Sequence, residues 1–179
     1  MRTSITRKND PTLEILIPPK TLHNRISKIA KVINKDYISK ELTVIGILNG
    51  SFVFMADLIR QLKMPLTCGF MTVSSYYNST NSNGVHLNSD MTQSIKGKNV
   101  LIVEDIIDTG STAKYLINRF RRKKPKSVAL CALLKKDTKS NGSIKIDYLG
   151  FTIPNKFVAG YGLDYKGKYR NLPYIAVAK

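Results

Sequence analysis

The chain has 179 residues, 42% of them hydrophobic, and a formal charge of +17 from 29 Lys and Arg against 12 Asp and Glu. This length suits one globular domain, and no stretch approaches the roughly 20 consecutive apolar residues of a membrane span. Residues 1–8 lack the apolar segment of a signal peptide, so we expect a cytoplasmic protein without a membrane partner.

Helices and strands are predicted to alternate along the chain. The first is an amphipathic helix that begins at Pro18 and Pro19 and ends near residue 36. Its apolar positions recur at helical spacing and are Leu22, Ile26, Ile29 and Ile33. Further elements are predicted as a buried strand over 43–48, a helix capped by Ser51 over 51–62 and a second strand over 66–73. The run 74–84, rich in Ser, Asn and Thr, predicts a mobile loop.

The second half continues the alternation. The apolar run at 100–103 predicts a buried strand, and a helix follows from about residue 113. Two more strands are predicted over 127–134 and 146–151. Five strands alternating with helices predict an α/β fold, with a central, largely parallel five-stranded sheet flanked by helices. No repeat or linker divides the chain, so we expect a single domain over residues 1–179.

The cysteines and histidines suggest no chemistry. Cys68 and Cys131 lie in apolar strand-like stretches, which predicts buried, reduced thiols. His23 falls in the first helix and His86 in a polar loop. Neither pattern indicates a metal site or a nucleophile with its base.

Residues 99–112 carry the densest set of functional side chains. Glu104 and Asp105 follow the buried strand, at the edge where open α/β sheets bind ligands. The turn that comes next consists of Asp108, Thr109, Gly110, Ser111 and Thr112. Such a turn presents backbone N–H groups and hydroxyls at a helix N-terminus, which attracts phosphate. The pattern predicts a sugar-phosphate site, with the paired acids on ribose hydroxyls and the turn on a 5′-phosphate.

A simpler interpretation is that the turn only starts a helix, with Asp108 or Ser111 as its N-cap. The paired acids upstream favour the ligand. Two adjacent carboxylates at the end of a buried strand repel one another, so a cation or a polyhydroxyl ligand accounts better for Glu104 and Asp105.

The segment resembles the phosphoribosyl-pyrophosphate motif of the type I phosphoribosyltransferases, and residues 103–110 resemble its version in hypoxanthine-guanine phosphoribosyltransferases. Further similar segments are 133–136, 153–161, 163–165 and 169–172, so the resemblance spans about residues 10–179. It implies the type I phosphoribosyltransferase fold, with a small hood built from about residues 1–17 and 152–179. It also implies a homodimer or homotetramer.

The implied activity is purine salvage with Mg²⁺. The 5-phosphoribosyl group would pass from 5-phospho-α-D-ribosyl 1-pyrophosphate to hypoxanthine or guanine, giving IMP or GMP and pyrophosphate. Asp108 would be the acid or base at purine N7. The donor would be held by Glu104, Asp105, Asp108, Thr109, Gly110, Ser111 and Thr112, and the purine by Lys136, Phe157 and the Val158 backbone. Pyrophosphate would contact Asn49, Gly50, Ser75, Tyr76 and Arg170, and the metal would be held by Asp164 with Glu104 and Asp105.

One position departs from the family. A Lys-Gly pair commonly follows the strand at 43–48, whereas this chain has Asn49 and Gly50. Asn49 keeps a polar side chain but loses the cation. The resemblance further implies that the loop over 74–88, with Ser75 and Tyr76 near its tip, closes over the reaction centre.

Two other functions stay open. A related enzyme could use xanthine or adenine, although Lys136 favours a 6-oxo group because an ammonium only donates. A regulator with the same fold could sense the sugar diphosphate and bind RNA or DNA through its basic surface. Asp108 argues against it, since a sensor needs no proton shuttle. The basic run at 119–126 falls at a helix C-terminus, where cations complement the helix dipole, so nucleic acid is the less favoured partner.

Overall fold

The computed structural model describes residues 13–75, 85–89, 93–138 and 144–178. Its strands are β1 (Leu13–Ile17), β2 (Leu42–Leu48), β3 (Leu66–Ser75), β4 (Val85–Ser89), β5 (Asn99–Ile107), β6 (Ser127–Lys136), β7 (Tyr148–Ile153), β8 (Val158–Ala159) and β9 (Ile175–Ala178). Its helices are α1 (Pro19–Asp36), α2 (Phe52–Ile59) and α3 (Ser111–Arg122). None of these helices combines the length and apolar character that a membrane crossing requires.

The central sheet has the strand order β4-β3-β2-β5-β6-β7. The five strands from β3 to β7 in this order run parallel, which confirms the predicted sheet. β4 adds a sixth, antiparallel strand at the β3 edge. The prediction of a polar loop at His86 was wrong, because His86 lies in β4 and pairs with Ser74.

Two apolar layers cover the two faces of this sheet. Successive residues of a strand point to opposite faces, and Val44 packs with α1 and α2 while Ile45 packs with α3. The buried α1 residues include Leu22, Ile26, Ile29 and Ile33, as the helical spacing predicts. Helices therefore lie on both faces, and the strand ends are left to form sites.

Several predicted boundaries need correction. β5 continues to Ile107, so Glu104 and Asp105 lie inside the strand rather than after it. The reason is that Ile106 and Ile107 extend the apolar run and pair with β6. β7 starts at Tyr148 rather than at 146. α2 ends at Ile59 because the N–H groups that follow bond three residues back, as in a 3₁₀ turn.

Two side chains also differ from expectation. Ser51 occupies the N-cap position of α2, but its hydroxyl donates to the carbonyl of Ile47 (2.6 Å) instead of capping the helix. Cys131 is buried as predicted, whereas Cys68 is exposed. Cys68 shares its side of β3 with Phe70, two residues on, and that ring is 50% exposed. This side of β3 has no full cover within the described part of the chain.

A second sheet of three antiparallel strands has the order β1-β9-β8. All its strands fall within the segments expected to form the hood. The main sheet nevertheless includes residues 152 and 153, at the end of β7. Residues 1–12 and 179 lie outside the described residues, so the proposed extent of the hood stays a prediction.

Candidate active site

The paired acids lie near the carboxyl end of β5, in the middle of the sheet. Glu104 is buried, and burial raises its pKa well above the usual range, with the charge of Asp105 adding to the effect. Burial also raises the pKa of Asp105, to about 6. Backbone hydrogen bonds and Arg170 oppose that shift, and Asp164 reinforces it. Burying these two carboxyl groups therefore costs free energy unless a bound cation or hydroxyl group interacts with them.

Gly50 brings three segments together at this point. A Cβ atom on Gly50 would overlap Oδ2 of Asp105, and a Cβ atom on Gly162 would overlap the carbonyl oxygen of Gly50. Gly162 also has a φ of +101°, which favours glycine. The β2–α2 turn, the end of β5 and the loop at 160–170 thus approach at distances that only glycine permits.

The turn after β5 is built without a capping side chain. Gly110 is the N-cap of α3, with a φ of +83°. Neither Asp108 nor Ser111 caps the helix, so the prediction of either residue as the N-cap is wrong. The Thr109 hydroxyl donates to Oγ of Ser111 (3.1 Å) and accepts from the Ser111 N–H (3.4 Å). Both residues are exposed, so their hydroxyls and the helix N-terminus face solvent.

Three predicted residues meet beside this turn. Lys136 is the last residue of β6 and is largely buried, and its Nζ donates to Oδ2 of Asp108 (2.7 Å). The same ammonium lies 5.5 Å from the ring centroid of Phe157. Phe157 is 70% exposed, so its ring is open to contact with a ligand. Val158 follows in β8, where it is buried and pairs with Val177.

Arg170 and Asp164 form the opposite wall. Nη2 of Arg170 lies 2.5 Å from Oδ1 of Asp164, and Nη1 donates to the carbonyl of Gly162 (2.7 Å). Oδ2 of Asp164 accepts the N–H of Gly167 (2.9 Å). Asn49 is exposed next to Gly50. The wall thus places a guanidinium and a carboxylate near enough to Asp105 to influence its charge.

Two predictions cannot be placed fully. Ser75 ends β3, where its backbone pairs with Val85, and nothing is described of its side chain. Tyr76 and most of the predicted lid over 74–88 lie outside the described residues. Within the described ranges, no three His, Cys, Asp or Glu side chains are grouped so as to hold a metal.

One supporting interaction escaped sequence analysis. Tyr161 is buried, and its hydroxyl donates to Asp57 on α2. Burial raises the pKa of Tyr161, and the hydrogen bond to Asp57 raises it further. The backbone N–H of Tyr161 donates to Leu172 (2.8 Å), which fixes the residue before Gly162. The only sequence signal is a tyrosine between two glycines, which does not reveal a partner 104 positions away.

Comparisons with known proteins agree with this geometry. The family model described as "Phosphoribosyl transferase domain" matches residues 18–166. Hypoxanthine-guanine phosphoribosyltransferase of Streptococcus pneumoniae is 46% identical over 167 residues, which cover 93% of each chain. The Bacillus subtilis enzyme of the same name is 42% identical with the same coverage. A crystal structure of a hypoxanthine-guanine phosphoribosyltransferase from Bacillus anthracis superposes with a TM-score of 0.88 and 43% identity, covering 93% of this chain and 98% of that chain.

Proposed function

The chain belongs to the phosphoribosyltransferase family, and from this premise we propose how its residues carry out purine salvage. It is a pentosyl-transferring enzyme that moves the 5-phosphoribosyl group from 5-phospho-α-D-ribosyl 1-pyrophosphate to hypoxanthine, giving IMP and pyrophosphate. The resemblance read from the motif is confirmed, and the enzyme is favoured over the nucleic-acid-binding regulator. Guanine is proposed as a second acceptor, since relatives named for both bases align over 93% of the chain.

The observation that carries the proposal is the contact of Lys136 with Asp108 beside the exposed ring of Phe157. A purine stacked on Phe157 would place its 6-oxo group against the ammonium, which can donate but not accept. Asp108 would then lie at N7, where a carboxylate can hold or move one proton. The Val158 backbone would contact the far edge of the base.

The donor would lie across the carboxyl edge of the sheet. The turn at 109–112 offers hydroxyls and a helix N-terminus to the 5′-phosphate. Glu104 and Asp105 would accept the ribose hydroxyls, which offsets the cost of burying the pair. Arg170, which donates to Asp164 in the structure, would donate some of its N–H groups to pyrophosphate oxygens instead. A planar guanidinium can donate two parallel hydrogen bonds to a phosphate group. Ser75 and Tyr76 would complete that side.

Magnesium fits this donor set. Asp105 and Asp164 provide hard oxygen ligands close enough to influence each other's charge, and Mg²⁺ binds through few carboxylates plus substrate oxygens. When bound, the ion would neutralise charge on the departing pyrophosphate. Glu104 is the weakest of the three proposed ligands because its buried carboxyl is held towards the protonated form.

The chain's own residues supply positioning and electrostatics. Glycosyl transfer passes through a transition state with positive charge on the ribose, and holding donor and acceptor in line supplies much of the rate. The carboxylates of Asp105 and Asp108 lie on the side where that charge develops. Asn49 stands where the family commonly has a lysine. Pyrophosphate at the β2–α2 turn would therefore be contacted by backbone groups and by the Asn49 amide.

We also propose a homodimer or homotetramer. Phe70 on β3 and Phe52 at the start of α2 are 50% and 44% exposed. Exposed aromatic rings of this size are typical of subunit contacts. Light scattering would give the mass in solution, and a monomer at micromolar concentration would reject this part of the proposal.

An absorbance assay with the purified protein tests the function. Each of hypoxanthine, guanine, xanthine and adenine is mixed with the sugar diphosphate, with and without Mg²⁺. We expect turnover of hypoxanthine and guanine only with Mg²⁺, and little with adenine. No turnover with any base would reject the enzyme, and preference for xanthine would change the acceptor alone.

A further inference from the structure

The amino edge of the central sheet, opposite the active site, collects cations from several elements. A cavity of about 420 Å³ lies where β2, β3 and β5 begin, and its lining includes Lys40, Lys98 and Lys126. With a rise of about 3.3 Å per residue, Asn99 at this edge is about 20 Å along β5 from Asp105. The cavity is therefore separate from the site described above.

Hydrogen bonds hold two lysine-rich segments side by side at this edge. The N–H of Gly97 donates to the carbonyl of Lys124 (3.0 Å), and the N–H of Lys126 donates to the carbonyl of Lys98 (2.9 Å). The Asn99 side chain donates to the carbonyl of Glu41 (3.1 Å), which fixes the neighbouring Lys40 beside them. We call this surface the basic edge; its cations are Lys40, Lys96, Lys98, Arg121, Arg122, Lys123, Lys124 and Lys126.

The helix dipole of α3 does not account for the basic edge. It explains the arginines in the last turn of α3, but not the lysines before β2, β5 and β6 that converge on the same place. Among the residues that line the cavity, Glu41 supplies the one carboxylate. The acids near the reaction centre, by contrast, cluster at the carboxyl edge and are Glu104, Asp105, Asp108, Asp137 and Asp164. At that edge the cations Lys136 and Arg170 are paired with Asp108 and Asp164.

We propose that the basic edge binds the phosphodiester backbone of single-stranded RNA. A protein partner fits less well, because protein interfaces are depleted in lysine. A small phosphate would use only part of a surface that extends from the cavity to the end of α3, whereas a strand presents one phosphate after another. The cavity volume lies in the range of small-ligand pockets, about 300–1,000 Å³, and admits one unstacked nucleotide. Its lining contains no aromatic ring on which a base could stack. We therefore expect the RNA to be bound through its phosphate charges and not through its base sequence.

The test is fluorescence anisotropy with a labelled single-stranded RNA of about 20 nucleotides, at about 0.05 to 0.2 M salt. The variant carries Lys96→Gln, Lys98→Gln and Lys126→Gln, and the matched control carries Lys20→Gln, Lys28→Gln and Lys31→Gln on the exposed side of α1. Both lose three positive charges. We expect the edge variant to raise Kd about tenfold or more and to reduce the salt slope by about 2, at about 0.7 per phosphate contact. The control should change Kd little, and both should keep wild-type kcat for IMP formation.

Three results would overturn the proposal. Equal losses in the two variants would assign binding to net charge alone. Displacement of the RNA by the sugar diphosphate with Mg²⁺ would place it in the active site. Tighter binding to vesicles of phosphatidylglycerol and phosphatidylcholine than to RNA, abolished in the edge variant, would make the partner a membrane surface.

Discussion

Nζ of Lys136 lies 2.7 Å from Oδ2 of Asp108, so the two groups proposed to act on the purine are paired with each other before any purine is present. The pair bridges the end of β6 and the turn after β5. A 6-oxopurine bound between them would accept from the ammonium and face the carboxylate. The pair therefore presets the positions of one donor and one acceptor for two neighbouring atoms of the base.

Replacing the ammonium should weaken base recognition. In Lys136→Met, we expect kcat/KM for hypoxanthine to fall about 10- to 100-fold, because a hydrogen bond from a charged donor contributes about 1.5–3 kcal/mol. KM for the sugar diphosphate should stay within about twofold. Lys135→Met, at the preceding strand position, is the matched control and should leave both constants nearly unchanged. Wild-type kcat/KM in Lys136→Met would remove Lys136 from the base site.

The kcat/KM for the sugar diphosphate should depend on pH because the Asp105 carboxyl group titrates. Its pKa is raised to about 6, so the carboxylate is lost as the pH falls through that value. We expect kcat/KM for the sugar diphosphate to be flat above about pH 7 and to fall about tenfold per pH unit well below 6. The apparent pKa belongs to the coupled Glu104 and Asp105 pair. Asp105→Asn should lower the plateau and abolish this limb, and a wild-type profile flat to pH 5 would contradict the assignment.

Glu104 should lower the stability of the ligand-free protein at high pH, although it contributes to binding of the sugar diphosphate. Its folded-state pKa is raised, so the ionised form is disfavoured and the contribution to stability is lost as pH rises through that pKa. Glu104→Gln should therefore stabilise the ligand-free protein at pH 8 by about 1 kcal/mol, or about 2–4 °C in Tm. The gain should vanish near pH 4, where the wild-type carboxyl is protonated. KM for the donor should rise. Thermal unfolding of wild type and Glu104→Gln at pH 8 and pH 4 measures this difference. A Tm of the variant below that of the wild type at pH 8 would contradict the prediction.

The hydrogen bond from Tyr161 to Asp57 should act on the donor site from a distance. Tyr161 precedes Gly162, whose carbonyl accepts from Arg170. In Tyr161→Phe, we expect KM for the sugar diphosphate to rise about 3- to 10-fold with kcat nearly unchanged, because the hydrogen bond contributes about 1 kcal/mol. Tyr115→Phe on α3 is the control. A fall in kcat with unchanged KM would show that Tyr161 does not position the pyrophosphate side.

Local sequence patterns predicted the layers of the fold. The apolar runs of β2, β5 and β6 and the spacing of Leu22 and Ile26 on α1 reflect burial that any packed α/β sheet requires. β4 was missed because an edge strand depends on its neighbour β3, and its short alternating segment lies among polar residues. The ends of β5 and α2 were misplaced because hydrogen bonds to other segments decide them.

The site was predictable to a different degree. The motif at 104–112 is contiguous, so its residues could be identified together, and Lys136 and Phe157 were found through resemblance. The fit of Gly50 against Asp105 and Gly162 could not be found, because it joins residues more than 50 positions apart by shape alone. The same holds for Ser51, whose hydroxyl donates to Ile47 rather than to the helix it precedes.

The most direct test of the account is the steady-state rate of IMP formation by Asp108→Asn at saturating sugar diphosphate, Mg²⁺ and hypoxanthine. Asparagine keeps the size of the side chain and an oxygen for Lys136 but cannot take up the N7 proton. We predict a kcat about 10²- to 10⁴-fold below wild type, with donor affinity little changed and with Asp137→Asn, an exposed neighbour at the end of β6, near wild type. A kcat for Asp108→Asn equal to that of the wild type would contradict the proposal that Asp108 moves the proton.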